Sequence, residues 1–257
     1  ADLWPGPTSR FDMGNVLILD LDSGQLDSVS DLALFGSANA LAVETAPGRW
    51  EIVQAGHAEL IAQGRYRLTR LLRGQRGTEQ AMGDPTPAEA RVVLLNEALT
   101  PLPIPEADLG IPFNWRIGPA RHPVSSDTFT AVSFTPEGEG LRPFSPVHVT
   151  QPWRRPHVPG DLTICWTRRS RAIAADSWQG MEVLLGEEQE SYEVRIMDGS
   201  VVKRTLTSTA PSVTYTAAQQ IADWGAELAP GDSMTIRLCQ LSARIGRGTP
   251  RTTTLYL

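Results

Sequence analysis

Arg73-Gly74-Gln75-Arg76-Gly77-Thr78-Glu79 gathers two guanidiniums, two glycines and a carboxylate into seven residues. A guanidinium offers five donors in a planar fork, which suits a carboxylate, a phosphate or unpaired backbone carbonyls. Glycine tolerates positive φ, so Gly74 and Gly77 can set a tight turn. The stretch therefore reads either as a ligand-binding loop or as a structural loop braced by arginine. Tyr66 to Leu72 before it and Arg91 to Asn96 after it read as buried strands, with many carbonyls to satisfy. That favours the structural loop, with Arg73 and Arg76 as braces and Gly74 and Gly77 at the turn.

Other chemistry-bearing residues are weaker candidates. Asp20-Leu21-Asp22-Ser23-Gly24 opens like a calcium loop, but Gln25 and Asp31 stand where an EF-hand has its glycine and bidentate glutamate. A turn that ends a strand is expected there. His57, His122, His148 and His157 are scattered and none sits at i, i+4 to another, so no histidine metal site is expected. Glu187 and Glu188 are adjacent on a loop, where neighbouring side chains point apart, and no histidine or nucleophile is near in sequence. A solvated acidic loop is expected rather than an acid–base pair. Trp50, Trp115, Trp153 and Trp178 lie on or near turns and are candidate glycan or receptor contacts, although an indole more often packs in a core or linker. No catalytic constellation, no metal site and no cofactor is expected.

The elements around these residues read as strands. Asn15 to Leu21 is a continuous apolar run, expected as a buried strand. Leu32 to Val43 reads as two short strands joined at Gly36-Ser37. Trp50 to Ala55 and Arg65 to Leu71 alternate apolar and polar residues, the mark of half-buried strands; the latter puts Tyr66, Leu68 and the stem of Arg70 on its apolar face. Pro101, Pro103 and Pro105 form a stiff linker. Asn114 to Ile117 and Thr128 to Phe134 read as strands beyond it. From Trp153 the alternation is clearer. Asp161 to Thr167, Ser191 to Met197, Val201 to Leu206, Ser212 to Tyr215, Met234 to Leu241 and Thr252 to Leu257 form a strand series, with a hairpin signal at Asp198-Gly199 and a helical Ala217 to Gly225. The predicted organisation is all-β: a lead-in linker over 1–14, an N-terminal β domain over 15–100, a Pro-rich linker with bridging strands over 101–152, and a fibronectin type III or immunoglobulin-like sandwich over 153–257.

Parity places the thiols. With Leu162, Ile164 and Trp166 inside, Cys165 faces out, and with Ile236 and Leu238 inside, so does Cys239. Their strands belong to different sheets, so free thiols are expected. Net charge is -6 with 41% hydrophobic content. An acidic chain does not offer the basic face that nucleic acid requires. No apolar run is long enough for a membrane span. The chain begins at Ala1 rather than Met and shows no leader pattern, as expected for a piece of something larger.

Leu71-Leu72-Arg73-Gly74-Gln75-Arg76-Gly77-Thr78-Glu79, after the Gly64-Arg65-Tyr66-Arg67-Leu68 strand, resembles the LLRGxRGTE signature of phage tail-tip proteins. It is similar in particular to the C-terminal region of the large "megatron" tail protein of gene transfer agents and related siphophages. Pro146 to Val149, Asp161 to Arg169, Asp176 to Gln179 and Gly186 to Glu188 extend the resemblance over about residues 15 to 257. Members are often labelled glycoside hydrolase because of an upstream TIM-barrel-like domain, and no eightfold strand–helix alternation occurs here. The resemblance implies a structural and adhesive component of a tail tip or baseplate, without enzymatic activity of its own. It also implies other tail proteins as partners, a location at the tip of a virion-like particle, and commonly a homotrimer, although no heptads here would impose one. Two other readings stay open: a carbohydrate-binding module for capsule or cell-wall polysaccharide, and an accessory fragment of a glycoside hydrolase, which would need two carboxylates across a cleft.

Overall fold

The computed structural model describes residues 2–8, 10–151, 157–171 and 184–257. The chain divides into two compact units, Ala1–Ala98 with Arg142–Leu257, and Leu99–Leu141. The first contains two β assemblies.

The N-terminal assembly is a five-stranded antiparallel sheet. In chain order it comprises β1 (Leu17–Asp20), α1 (Asp31–Phe35), β2 (Ala40–Ala46), β3 (Arg49–Ala62), β4 (Arg65–Leu72) and β5 (Val92–Leu94). The strand order is β1-β4-β3-β2-β5. Its core gathers Leu17, Leu19, Leu41, Val43, Val53, Ala55, Tyr66, Leu68 and Leu71 with Leu3 and Leu26. Burying such side chains contributes on the order of 1.5–3 kcal/mol each, so this sheet is a genuine core.

Five expectations are corrected here. β1 is not buried on both faces: Leu17 and Leu19 join the core while Ile18 and Asp20 are exposed, because this antiparallel sheet packs its core against one face of the strand. β5, expected as buried, is an edge strand and only half-buried. The first of the two strands expected in Leu32 to Val43 is instead α1. Ser30 caps it, its side chain accepting from the Ala33 N–H, and Asp31 supplies an acidic first turn. Arg70 adopts a positive φ of 56°, which breaks the alternation of β4; its guanidinium pairs with Asp31 and lies over the Phe11 ring rather than on the apolar face. The segment expected as a linker over 1–14 is tied down at two of its described residues. Leu3 and Asp12 are buried, and they form antiparallel bridges with Thr86 and Leu71.

The second assembly is a sandwich. It runs through β8 (Val147–Thr150), β9 (Leu162–Thr167), β10 (Tyr192–Asp198), β11 (Val201–Ser208), β12 (Ser212–Tyr215), α2 (Ala217–Trp224), β13 (Ser233–Ser242), β14 (Gly246–Arg247) and β15 (Arg251–Tyr256). One sheet has the order β12-β9-β8; the other has β11-β10-β13, with β14 and β15 both paired to β13. The chain returns from β11 to β12 in the opposite sheet, a Greek-key connection of the fibronectin type III and immunoglobulin kind. Leu162, Ile164 and Trp166 from one sheet pack as one core against Ile236 and Leu238, inward as their alternation predicts, and against Tyr192, Val194 and Ile196 from the other. Trp166 and Tyr192 meet edge to face at 5.0 Å. α2 carries a capping box from Thr216 and Gln219 and stops at Gly225. Its inward Gln220 is fully buried and saturated, bonding the Gly160 and Tyr215 carbonyls and the Leu228 N–H.

The second unit holds β6 (Phe113–Ile117) paired antiparallel with β7 (Thr130–Phe134).

Candidate functional site

Arg73 is 1% exposed. Its Nε and Nη2 donate to the two Glu51 carboxylate oxygens at 2.7 and 2.9 Å, and its Nη1 reaches Asp12 Oδ2 at 3.1 Å and the Trp4 carbonyl at 2.9 Å. The Gly74 N–H also donates to Glu51, at 3.0 Å. Asp12 further accepts from the backbone of Gly14 and Asn15 and from the Asn15 amide. Burial alone would raise the Asp12 carboxyl. The hydrogen bonds from Asn15, Gly14 and Arg73 outweigh it and hold the group below its ordinary value. Burial likewise opposes the Arg73 charge, and Glu51 and Asp12 more than restore it. Two carboxylates on one buried guanidinium tie the N-terminal segment, β3 and the end of β4 together.

Glu51 and Asp12 were not singled out in the sequence, yet a signal was available. Glu51 shares strand parity with Val53 and Ala55, and all three are fully buried. A carboxylate in phase with the core requires a cation.

After Arg73 the chain turns through Gly74 (φ 55°) into a 3-10 segment at Gln75–Ala81, and Gly77 also has positive φ, 84°. The loop covers the edge of β3 that β4 abandons. Pairing between them ends at Gln54 and Leu72, and beyond it the Ile52 N–H donates to the Thr78 hydroxyl at 2.9 Å, which in turn donates to the Gln75 carbonyl at 2.7 Å. The far side of the loop meets the segment leading into the sandwich. A Cβ on Gly77 would lie 2.8 Å from the Phe144 ring. Glu79 pairs with Arg169 at 2.5 Å, and the Arg169 guanidinium lies 5.1 Å from the Phe144 ring centroid. Gln80 donates to the Pro250 carbonyl at 3.0 Å. The motif is thus a latch between sheet and sandwich. Arg76 is the exception: it is exposed, holds a positive φ of 55° and makes no ion pair among the described residues. The bracing role expected of it is corrected. At positive φ its side chain leaves the loop on the solvent side.

A second concentration of arginine lies on the outer face of β10 and β13. Arg142, Arg195, Arg237 and Arg247 line a cleft of about 180 Å³ together with Glu193 and Cys239. Glu193 accepts from Arg247 Nε and Nη2 at 2.9 Å each and forms an ion pair with Arg195 Nε at 2.7 Å. Its carboxyl is held low chiefly by the Arg247 hydrogen bond. Cys239, expected to face out, does point away from the core, yet it is only 5% exposed because the cleft walls cover it. Burial and the nearby Glu193 push its thiol up to about 11. Cys165 and Cys239 are both free thiols.

Glu187 is also corrected. It is not solvated: its side chain is 3% exposed and grips Arg171 through two contacts of 3.0 and 3.2 Å. Among the tryptophans, Trp50 is half-buried on β3 with the Arg91 guanidinium 5.7 Å away, and Trp115 is half-buried on β6 against Phe113. Trp153 and Trp178 lie outside the described residues.

Residues 1–93 match the family model described as Rcc01698-like, C-terminal. No curated protein matches the chain. Among solved structures the chain is similar to the rat CD45 extracellular region, domains d3-d4, at 9% identity and a TM-score of 0.30, over 66% of this chain and 75% of that one. The sandwich assignment rests on the strand order and shared core given above. No described helix is long and apolar enough to cross a membrane.

Proposed function

We propose that the chain is a structural and adhesive component of the tail tip, or baseplate, of a phage-like gene transfer agent, contributing to host-envelope attachment or baseplate assembly. The observation that carries this reading is the use the molecule makes of the stretch resembling the tail-tip signature. Arg73 and Glu51 lock the sheet, Thr78 closes the edge of β3, and Glu79 and Gly77 join the sheet to the sandwich. That is the work of a scaffold. The family match over residues 1–93 covers the same stretch. On this reading the partners are other tail and baseplate proteins, the chain has no turnover of its own, and it is carried on the particle after release from the bacterial cytoplasm.

The test is immunogold imaging of intact particles bearing an epitope after Leu257. Gold at one end of the tail supports the reading, and particles free of gold overturn it. Adding the epitope antibody before exposure to host cells then separates the two roles: blocked attachment assigns adhesion, unchanged attachment assigns assembly.

A further inference from the structure

The cleft on the outer face of β10 and β13 runs against the charge of the chain. The whole sequence has net charge -6, yet, leaving aside Arg142, which has an interaction of its own, this cleft sets three guanidiniums, Arg195, Arg237 and Arg247, around the carboxylate of Glu193. Glu193 already pairs with two of them, Arg195 and Arg247. Arg237, directly opposite Arg195 on β13, the strand between β10 and β14, takes part in no ion pair among the described residues. Like charges lining a concave site focus the field there and raise the local concentration of an anion. The cleft also fixes geometry. Glu193 holds the Arg247 fork by two bonds and Arg195 by its Nε, so donors on both guanidiniums remain for a further acceptor.

We propose that this cleft is a binding site for a compact oxyanion, a carboxylate or phosphate carried as one group of a larger molecule, with Arg237 as the principal contact and Arg195 and Arg247 as pre-positioned forks. Size supports a compact group. A cavity of about 180 Å³ falls below the roughly 300–1,000 Å³ of sites that enclose a whole drug-sized ligand. The cleft rests on its own charge and geometry and stands whether or not the chain belongs to a tail tip.

Calorimetric titration of the full chain at low ionic strength, with inorganic phosphate and separately with glucuronate, tests it; glucose is the neutral control. One or both anions should bind at one site, glucose should not, and Arg237→Ala should weaken binding at least about tenfold, equivalent to about 1.4 kcal/mol. Arg237→Lys should recover part of the loss, since it keeps charge without the fork. Binding of phosphate alone or of glucuronate alone upholds the site and names the source of the oxyanion. Binding of neither anion, or equal binding by Arg237→Ala, overturns it. Should that variant fail to fold, the arginine Nε–H resonances of the unaltered chain decide: phosphate-induced shifts at the cleft arginines uphold the site, and their absence overturns it.

Discussion

Arg73 and Arg237 are the same residue in opposite situations. Arg73 is 1% exposed, with two carboxylates, a backbone carbonyl and no spare room. Arg237 is exposed at the mouth of a cleft with more guanidiniums than carboxylates. In the first region the guanidinium is matched by carboxylates and a carbonyl, so the arginine specifies the fold. In the second Arg237 is unmatched by any ion pair among the described residues, so it is available to something else. An arginine's role is read from how completely its neighbours use its donors, and burial alone does not decide it: Arg195 and Arg247 are held by Glu193 and still belong to the available set.

The largest effect should come from the matched region. Arg73→Ala strands Glu51, which is fully buried, without its cation, and should cost about 3–5 kcal/mol in urea unfolding. Arg237→Ala in the cleft should change stability by less than about 0.5 kcal/mol. If the two variants unfolded at the same urea concentration, the contrast between matched and unmatched arginines would be lost. The double variant Arg73→Met with Glu51→Leu sharpens the point: removing both charges together should recover a large share of the single-variant loss.

Gly77→Ala comes next. Its Cβ would meet the Phe144 ring at 2.8 Å, at a backbone φ of 84°, so about 1–3 kcal/mol is expected from the overpacked, strained position. Limited proteolysis should then show new cleavage near residues 142–146. Unchanged melting and cleavage would mean that the loop does not latch the sheet to the sandwich.

Asp12 gives a smaller, pH-dependent effect. Its carboxyl is held below its ordinary 3.8 in the folded chain. A group depressed by folding stabilises the chain above its unfolded value, and that stability is lost as pH falls through the folded value. Wild-type stability should therefore drop as pH is lowered below about 4, and Asp12→Asn should flatten that limb while costing about 1–2 kcal/mol at neutral pH. An unaltered acid limb in the variant would remove Asp12 from the matched set.

Much of the sandwich was legible because alternation is a local property. Leu162, Ile164 and Trp166 and their partners fell inside as their parity required, and Asp198-Gly199 turned as its residues predict. The N-terminal sheet was harder to read. Which face of a strand is covered depends on what packs over the sheet, which no single strand encodes, so the apolar runs of β1 and β5 read as buried from sequence alone. α1 was hidden in an apolar run whose capping serine lay just outside it. The glycines of the loop announced the turn, but the partners of Arg73 are distant in sequence, Asp12 and Glu51, and only the parity of Glu51 hinted at them. The arginine cleft was not legible at all: its residues come from separate segments that meet only once β10, β13 and β14 pair.

The smallest effect should fall on Arg76, and it tests the contrast most closely because it sits three residues from Arg73. Sequence spacing made the two arginines look equivalent. Arg76 is exposed, has no ion pair among the described residues and carries a side chain at φ 55°, a region that costs residues other than glycine. Arg76→Ala removes a solvated charge and leaves the backbone strain in place, so stability should stay within about 0.5 kcal/mol of wild type. Arg76→Gly relieves the strain but loosens the unfolded chain, two opposing terms of about 0.5–1 kcal/mol each, so it too should melt close to wild type. A loss above about 2 kcal/mol in Arg76→Ala would mean that the loop depends on a contact made by this guanidinium, and the line between the two kinds of arginine would have to be redrawn inside the motif itself.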